Sequence, residues 1–252
     1  MPENKFPTEM VTLPSKGYFY PENSPLSKGE VEMKYMTAKD EDILTSPNLI
    51  RSGMVLDKLI ESLLVDKKIK VDDLLLGDKN GLIVAARILA YGKEYPIEFV
   101  DEVGQTQTIT VDLTTLKDKE VDFSKFTKGV NEFSFELPNT KRTITFKLLT
   151  QGKEKQIDTQ LKSLRKVNTG GVQSDFTTRL KHMLLSIDGN DNRTYVNNFV
   201  DKEFLSVDSL EFRKYLTSIT PDIEMTTTYT EESGEESEVT VPMTVQFFWP
   251  DS

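Results

Sequence analysis

The spacing of apolar and polar positions changes several times along the chain, and each change marks a change of structure. Residues 1–30 show no period and contain Pro2, Pro7, Pro14, Pro21 and Pro25. Proline fixes φ and removes a backbone donor, so this stretch reads as an extended arm, not a helix or a central strand. Val31, Met33 and Tyr35 then alternate with Glu30, Glu32 and Lys34, as in a short strand. Thr37 followed by Asp40 predicts a capping box that opens a helix running through Ile43–Leu44. From Asn48 onward, Leu56, Leu59, Ile60, Leu63 and Leu64 fall at the i, i+3, i+4 spacing of an amphipathic helix. The next helix is expected to follow a Gly77–Gly81 turn, with Asp78 as its cap and Leu82, Ala85, Ala86 and Leu89 on its inner face. Gly92 sits where a terminating glycine belongs.

From Lys93 to about Thr150 the period becomes two. Ile109, Val111 and Leu113 alternate, as do Phe133, Phe135 and Leu137, then Ile144, Phe146 and Leu148, with Pro138–Lys141 as a turn between the last two runs. Helical spacing returns with Ile157, Leu161 and Leu164. After Thr169-Gly170-Gly171, a helix capped by Ser174 is expected to carry Phe176, Leu180, Met183, Leu184 and Ile187. Two more helices are predicted over Val196–Leu205 and Ser209–Thr220, stopped by Pro221. Two strands, Ile223–Thr230 and Glu238–Phe248, close the chain around a Glu-Glu-Ser-Gly-Glu-Glu turn. The expected class is α+β: a helical body of several amphipathic helices with an inserted small antiparallel β-sheet and a C-terminal β-hairpin. The segments are an arm (1–30), the first half of the body (31–92), the β insertion (93–150), the second half (151–221) and an acidic hairpin with an aromatic terminus (222–252). No fixed repeat is visible, which argues against a solenoid.

Composition narrows the chemistry. At 252 residues, with 37% apolar and 29% charged side chains, the chain can bury a core without disulfides. It has no cysteine, which removes disulfides, thiolate nucleophiles and cysteine zinc sites, and one histidine, His182, which removes multi-histidine metal sites. No run approaches the ~18 apolar residues of a membrane span, and the amino terminus lacks an apolar signal core. The net charge of −10 disfavours non-specific nucleic-acid binding, which needs a cationic surface. That charge is unevenly spread: residues 221–252 hold eight acidic side chains and no Lys or Arg, leaving −2 for the other 220. The segment reads as a solvated hairpin tip or as a docking surface for a basic partner.

No catalytic set emerges. Gly77–Gly81 has neither phosphate-loop spacing, and Asp78 would put a negative charge where a phosphate belongs. His182 lies off the apolar stripe of its helix and reads as a surface residue. Asp40/Glu41/Asp42, Asp72/Asp73, Asp188/Asp191 and Glu235/Glu236 are loop and surface carboxylates without glycosidase or calcium-loop spacing. Asp208, Glu211, Arg213 and Lys214 read as helix-surface ion pairs. No catalytic, cofactor-binding or metal-binding residue is assigned. The unusual features are two aromatic clusters, Tyr18-Phe19-Tyr20 in the arm and Phe247-Phe248-Trp249 at the end. Each must be buried against something: the chain's own body, or a partner for which these six residues would be the contact elements.

Several strings carry a resemblance: LPSKGYFYP, MTAKDEDILTSPNLIRSGMVLDKLIESLLVD, DDLLLGDKNGLIVAARILAYGKEYP, FELPNTKRTITFKLLTQGKEKQI, VDSLEFRKYLTSITPDIEM and VPMTVQFFWPD. Over residues 13–251 the chain resembles the baseplate hub and hub-assembly proteins of T-even-type contractile-tailed phages. Some relatives carry cysteine pairs in their β-rich parts; this chain has none, so no metal role carries over. The resemblance implies a non-enzymatic role in building the baseplate hub, through contacts with other baseplate and hub proteins. It implies a place in the host cytoplasm during assembly, and in the virion tail baseplate if the protein is retained. The alternatives are a transient assembly factor or chaperone absent from the virion, and a carboxylate hydrolase, which would need a concave site with two carboxyls, one strongly shifted in pKa.

Overall fold

Residues Thr8–Thr12 (β1) leave the proline-rich arm to pair antiparallel with Glu30–Lys34 (β2), Val11 opposite Val31 and Glu9 opposite Met33. The computed structural model describes residues 6–100, 104, 106–167, 174–230 and 236–248. Among these it holds eight helices and four small antiparallel sheets, an α+β fold. Helix α1 (Ala38–Leu44) opens on the expected capping box: Asp40 accepts from the Thr37 backbone N–H (2.9 Å) and hydroxyl (2.7 Å). The amphipathic run after Asn48 forms two helices, α2 (Pro47–Ser52) and α3 (Val55–Leu63), not one. Gly53, at φ 74°, breaks them apart in a left-handed conformation that most side chains avoid.

Helix α4 (Leu76–Tyr91) begins before the expected turn, so Gly77–Gly81 lies inside its first turns and Asp78 is not its cap. The reason is packing. A Cβ on Gly77 would lie 1.9 Å from the Pro221 carbonyl oxygen, and one on Gly81 2.8 Å from the Pro14 ring. These two glycines are there so that neighbouring chain can lie directly on the helix. Gly92 ends α4 as expected.

The β insertion is split. A hairpin of β3 (Glu94–Val100) and β4 (Thr106–Asp112) turns Tyr95, Ile97 and Val111 into the core. The strands β5 (Phe133–Glu136) and β6 (Thr143–Phe146) then pair through the predicted turn. After α5 (Gln151–Val167) and α6 (Asp175–Met183), Leu184–Ile187 forms strand β7, which pairs with β6. The helix expected through Ile187 therefore ends at Met183. Leu184 and Ile187 fit helical spacing equally well, but the open edge of β6 offers their backbone a ladder, and pairing overrides the local pattern. Helices α7 (Arg193–Lys202) and α8 (Ser206–Ile219) follow, with Asn192 capping α7 through bonds from Thr194 and Tyr195.

The last hairpin pairs β8 (Thr226–Thr230) with β9 (Glu236–Thr240). The closing strand stops eight residues earlier than its alternation predicts. Val241 donates to Met225 (2.7 Å), Pro242 has no N–H to continue the ladder, and Val245–Phe248 close into a 3-10 turn. One contiguous apolar cluster runs from Leu13 and Phe19 through Leu82, Ile97, Phe146 and Phe212 to Phe248, drawing on every segment of the chain.

Candidate interaction site

The arm aromatics and the Gly77–Gly81 string meet in one buried cluster. Asp78, fully buried on α4, accepts from the Ser15 N–H (2.8 Å), the Ser15 hydroxyl (2.7 Å) and the Tyr20 hydroxyl (2.5 Å). The Tyr20 oxygen in turn accepts from the Leu75 N–H (2.8 Å), one of the donors that the start of α4 would leave unpaired. Burial pushes the Asp78 carboxyl above the usual carboxylate range against these three donors, and pushes Tyr20 well above 10. Phe19 is enclosed by Phe123, Phe126 and Phe133 at 5.1–5.7 Å between ring centres, and the Tyr18 hydroxyl bonds the Phe126 carbonyl at 2.9 Å. The arm is thus folded onto its own body, and Phe19 and Tyr20 face inward.

The aromatic terminus is held in the same manner. Phe247 and Phe248 are fully buried, with Phe247 edge-on to Tyr95 at 4.9 Å. Arg87, 1% exposed in the middle of α4, donates to the carbonyls of Phe247 (2.9 Å), Gly92 (3.1 Å) and Glu94 (3.3 Å), with Tyr91 and Tyr95 against its guanidinium. A single side chain ties the carboxy-terminal turn to the end of α4 and the start of β3. Nothing in the sequence marks Arg87 apart from its position among apolar neighbours. Trp249 and the acidic turn at 231–235 lie outside the described residues.

The other buried carboxylates also bind elements together. Asp57 of α3 takes Lys79 of α4 (2.7 Å) and Lys155 (3.0 Å) and Gln151 (2.8 Å) of α5. Burial alone would raise its pKa, but these donors outweigh it and hold it below the ordinary value. Asp208, expected on the surface of α8, is fully buried and accepts four bonds from the backbone and side chains of Asn139 and Thr140, clamping the β5–β6 turn. Asp188, exposed in the turn after β7, ties that turn to the start of β6, engaged by Arg142 and by the Thr143 N–H (2.7 Å). His182 pairs with Gln160 of α5 at 2.8 Å; burial, Lys153 and Arg193 lower its pKa.

Ionisable groups line two open clefts among the described residues; the smaller holds Lys117, Glu224 and Glu238, and the larger lies beside the arm. The larger measures about 470 Å³ and is lined by Lys16, Asp118, Lys119, Glu120, Asp122 and Phe123 among others. Burial raises Asp118, but both oxygens of Asp122 are engaged by Ser124 and Lys125 of its own turn, and Lys119 reaches the Thr217 carbonyl (2.7 Å). Among the described residues no three His, Cys, Asp or Glu converge on a metal position, and no helix is long and apolar enough to cross a membrane.

Comparison with protein families gives a match to the T4 bacteriophage base plate protein family over residues 12–249. The chain belongs to that family. Comparisons with curated proteins and with solved structures gave no match. Membership places the work of this baseplate protein in the tail baseplate, among other baseplate proteins. Several large apolar side chains are exposed among the described residues. Phe6 (65% exposed) and Met10 (53%) lie at the β1 edge, while Leu205, Val207 and Leu210 lie at the start of α8. Phe176 of α6 is also exposed and lies 5.1 Å from the Arg213 guanidinium.

Proposed function

We propose that this baseplate protein is a non-enzymatic structural or assembly component of the baseplate hub, acting through protein–protein contacts. The observation that carries the reading is how its polar groups are used. Asp57, Asp78, Asp208 and Arg87 are each buried, and each joins segments far apart in sequence, while large apolar side chains of β1, α6 and α8 remain uncovered. A catalyst keeps ionisable groups aimed into a cleft; an assembly protein uses them to stiffen the frame that presents adhesive patches. The segregated acidic terminus supports the same reading, since a patch of one sign speeds encounter with a basic neighbour and loses strength with salt. Of the described aromatic-cluster residues, contact would run through the half-buried Tyr18, because Phe19, Tyr20, Phe247 and Phe248 support the surface from inside.

The experiment is co-expression of the tagged protein with candidate hub subunits, with quantitative peptide mass spectrometry of purified particles. Co-purification with hub subunits at fixed stoichiometry is expected. Retention in particles makes the protein a structural component, and its absence makes it a transient assembly factor. Failure to bind any hub subunit, or clearing of peptidoglycan by the isolated protein, would overturn the proposal.

A further inference from the structure

We infer that β1 is a self-pairing edge through which two copies of this chain join their sheets across a two-fold axis. Tyr35 N–H donates to the Pro7 carbonyl and Leu13 N–H to the Gly29 carbonyl, so residues 7, 9, 11 and 13 face β2. The N–H and C=O groups of Thr8, Met10 and Thr12 therefore point away from the sheet. The outer edge of β2 is closed, by the Met33–Leu64 bridge and the bond from Val65 N–H to Glu32 O (3.0 Å); no described strand pairs with the outer edge of β1. Natural edges are usually blunted by a lysine, a proline, a bulge or a covering segment. Between Thr8 and Thr12 the strand has no proline, no basic side chain and no register shift.

The occupant follows from the register. Placing a two-fold axis at Met10 pairs Thr8 with Thr12 of the second copy, Met10 with Met10, and Thr12 with Thr8. All three outward donors and all three outward acceptors on each copy are satisfied at once. Glu9 then faces Val11 of the other copy, so no like charges oppose each other. Phe6 and Met10 are the two most exposed large apolar side chains among the described residues. They share one face of the strand, and this register sets Met10 against Met10 and each Phe6 opposite Pro14 and diagonal to Thr12 of the other strand. The contact is self-complementary and closed, as a two-fold interface requires. A five-residue strand pair lies below the standard interface size, so the expected equilibrium is weak and concentration-dependent. Because each copy carries a charge of −10, added salt should strengthen pairing by screening repulsion. Docking of a basic partner strand would instead weaken with salt.

The test is sedimentation equilibrium of the full chain from micromolar to millimolar concentration, at low and moderate salt. Wild type should show a monomer–dimer equilibrium that tightens with salt. Met10→Pro removes only an outward N–H and should leave the β1–β2 ladder intact, whereas Val11→Pro should break it. Met10→Lys places two ammonium groups together on the axis without touching the backbone. Either Met10 variant should raise the dimer Kd at least about tenfold with Tm unchanged. A wild-type chain that stays monomeric to millimolar concentration, or a dimer indifferent to Met10→Lys, would overturn the inference. So would an edge that pairs only with a strand of another baseplate protein.

Discussion

Replacing Tyr20 by Phe keeps the ring and removes a single oxygen, which makes it a clean probe of the cluster that fastens the arm to α4. That oxygen donates to Asp78 at 2.5 Å and accepts from the Leu75 N–H at 2.8 Å, in a site closed to solvent. Losing a hydrogen bond to a buried charged acceptor costs about 1.5–3 kcal/mol, and stranding a buried N–H costs about 1–3 kcal/mol. Together the expected loss is about 3–5 kcal/mol, a large share of a typical domain's stability. Urea unfolding followed by far-UV circular dichroism measures it, with the m-value showing whether the cooperative unit is preserved. A cycle with Asp78→Asn should show coupling above about 1 kcal/mol, because both side chains serve the same bond. Tyr20 also makes a statement about pH. Its folded pKa lies well above the unfolded value near 10, so its contribution is whole below about pH 10 and is lost as pH climbs through the folded value. The Phe variant should lack that part of the alkaline loss. A cost below about 1 kcal/mol, or strictly additive single changes, would refute the view that this cluster holds the arm.

Two further changes probe the frame. Asp57→Asn should cost about 3 kcal/mol by leaving the largely buried Lys79 ammonium without its carboxylate partner. Asp57 has a lowered folded pKa, so its contribution is present above the ordinary carboxylate value and lost as pH falls through the lowered one; the variant should flatten that part of the acid limb of stability against pH. Gly77→Ala should cost more than about 3 kcal/mol or abolish folding, since its Cβ would sit 1.9 Å from the Pro221 oxygen, whereas Gly53→Ala, with nothing within 4 Å, should cost only about 1 kcal/mol for its positive φ. Equal thermal shifts for the two alanine variants would contradict the close packing of Pro221 on α4.

Elements whose periodicity agreed with their tertiary surroundings were legible in the residues alone. The α1 capping box, the β5–β6 turn and the stop at Gly92 are local chemistry, and the structure carries them unchanged. Illegible features depended on a partner distant in sequence. Leu184–Ile187 is a strand because β6 has a free edge for it; Asp208 is buried because the Asn139–Thr140 turn comes to it. Asp78 looked like a helix cap because an acidic residue near a helix start usually is one. Only the arrival of Ser15 and Tyr20, 63 and 58 residues away in sequence, makes it the centre of a buried cluster. The β1 edge strand is compatible with the extended arm that the prolines predict, but Thr8–Thr12 carries no alternation to mark it, because Met10 and Val11 are adjacent apolar residues.

The strings that carry the family resemblance turn out to be in contact with one another. LPSKGYFYP supplies Ser15 and Tyr20 to Asp78 of the GDKNG string, and Pro14 lies on Gly81. Pro221, from the string ending in TPDIEM, lies on Gly77, while Asp208 of that same string clamps the turn in FELPNTKR. Arg87 in GLIVAARILA takes the carbonyl of Phe247 in QFFWP. A residue held at both ends by such contacts is not free to touch a neighbour, and its chemical type is dictated from inside the chain. The surfaces that select partners must then lie largely on side chains the frame leaves unconstrained, such as Phe6 just before β1, Met10 on β1, and Val207 and Leu210 on α8. On this argument the signature of the family encodes a shared scaffold, and partner choice within the baseplate is set by residues outside its interlocked contacts.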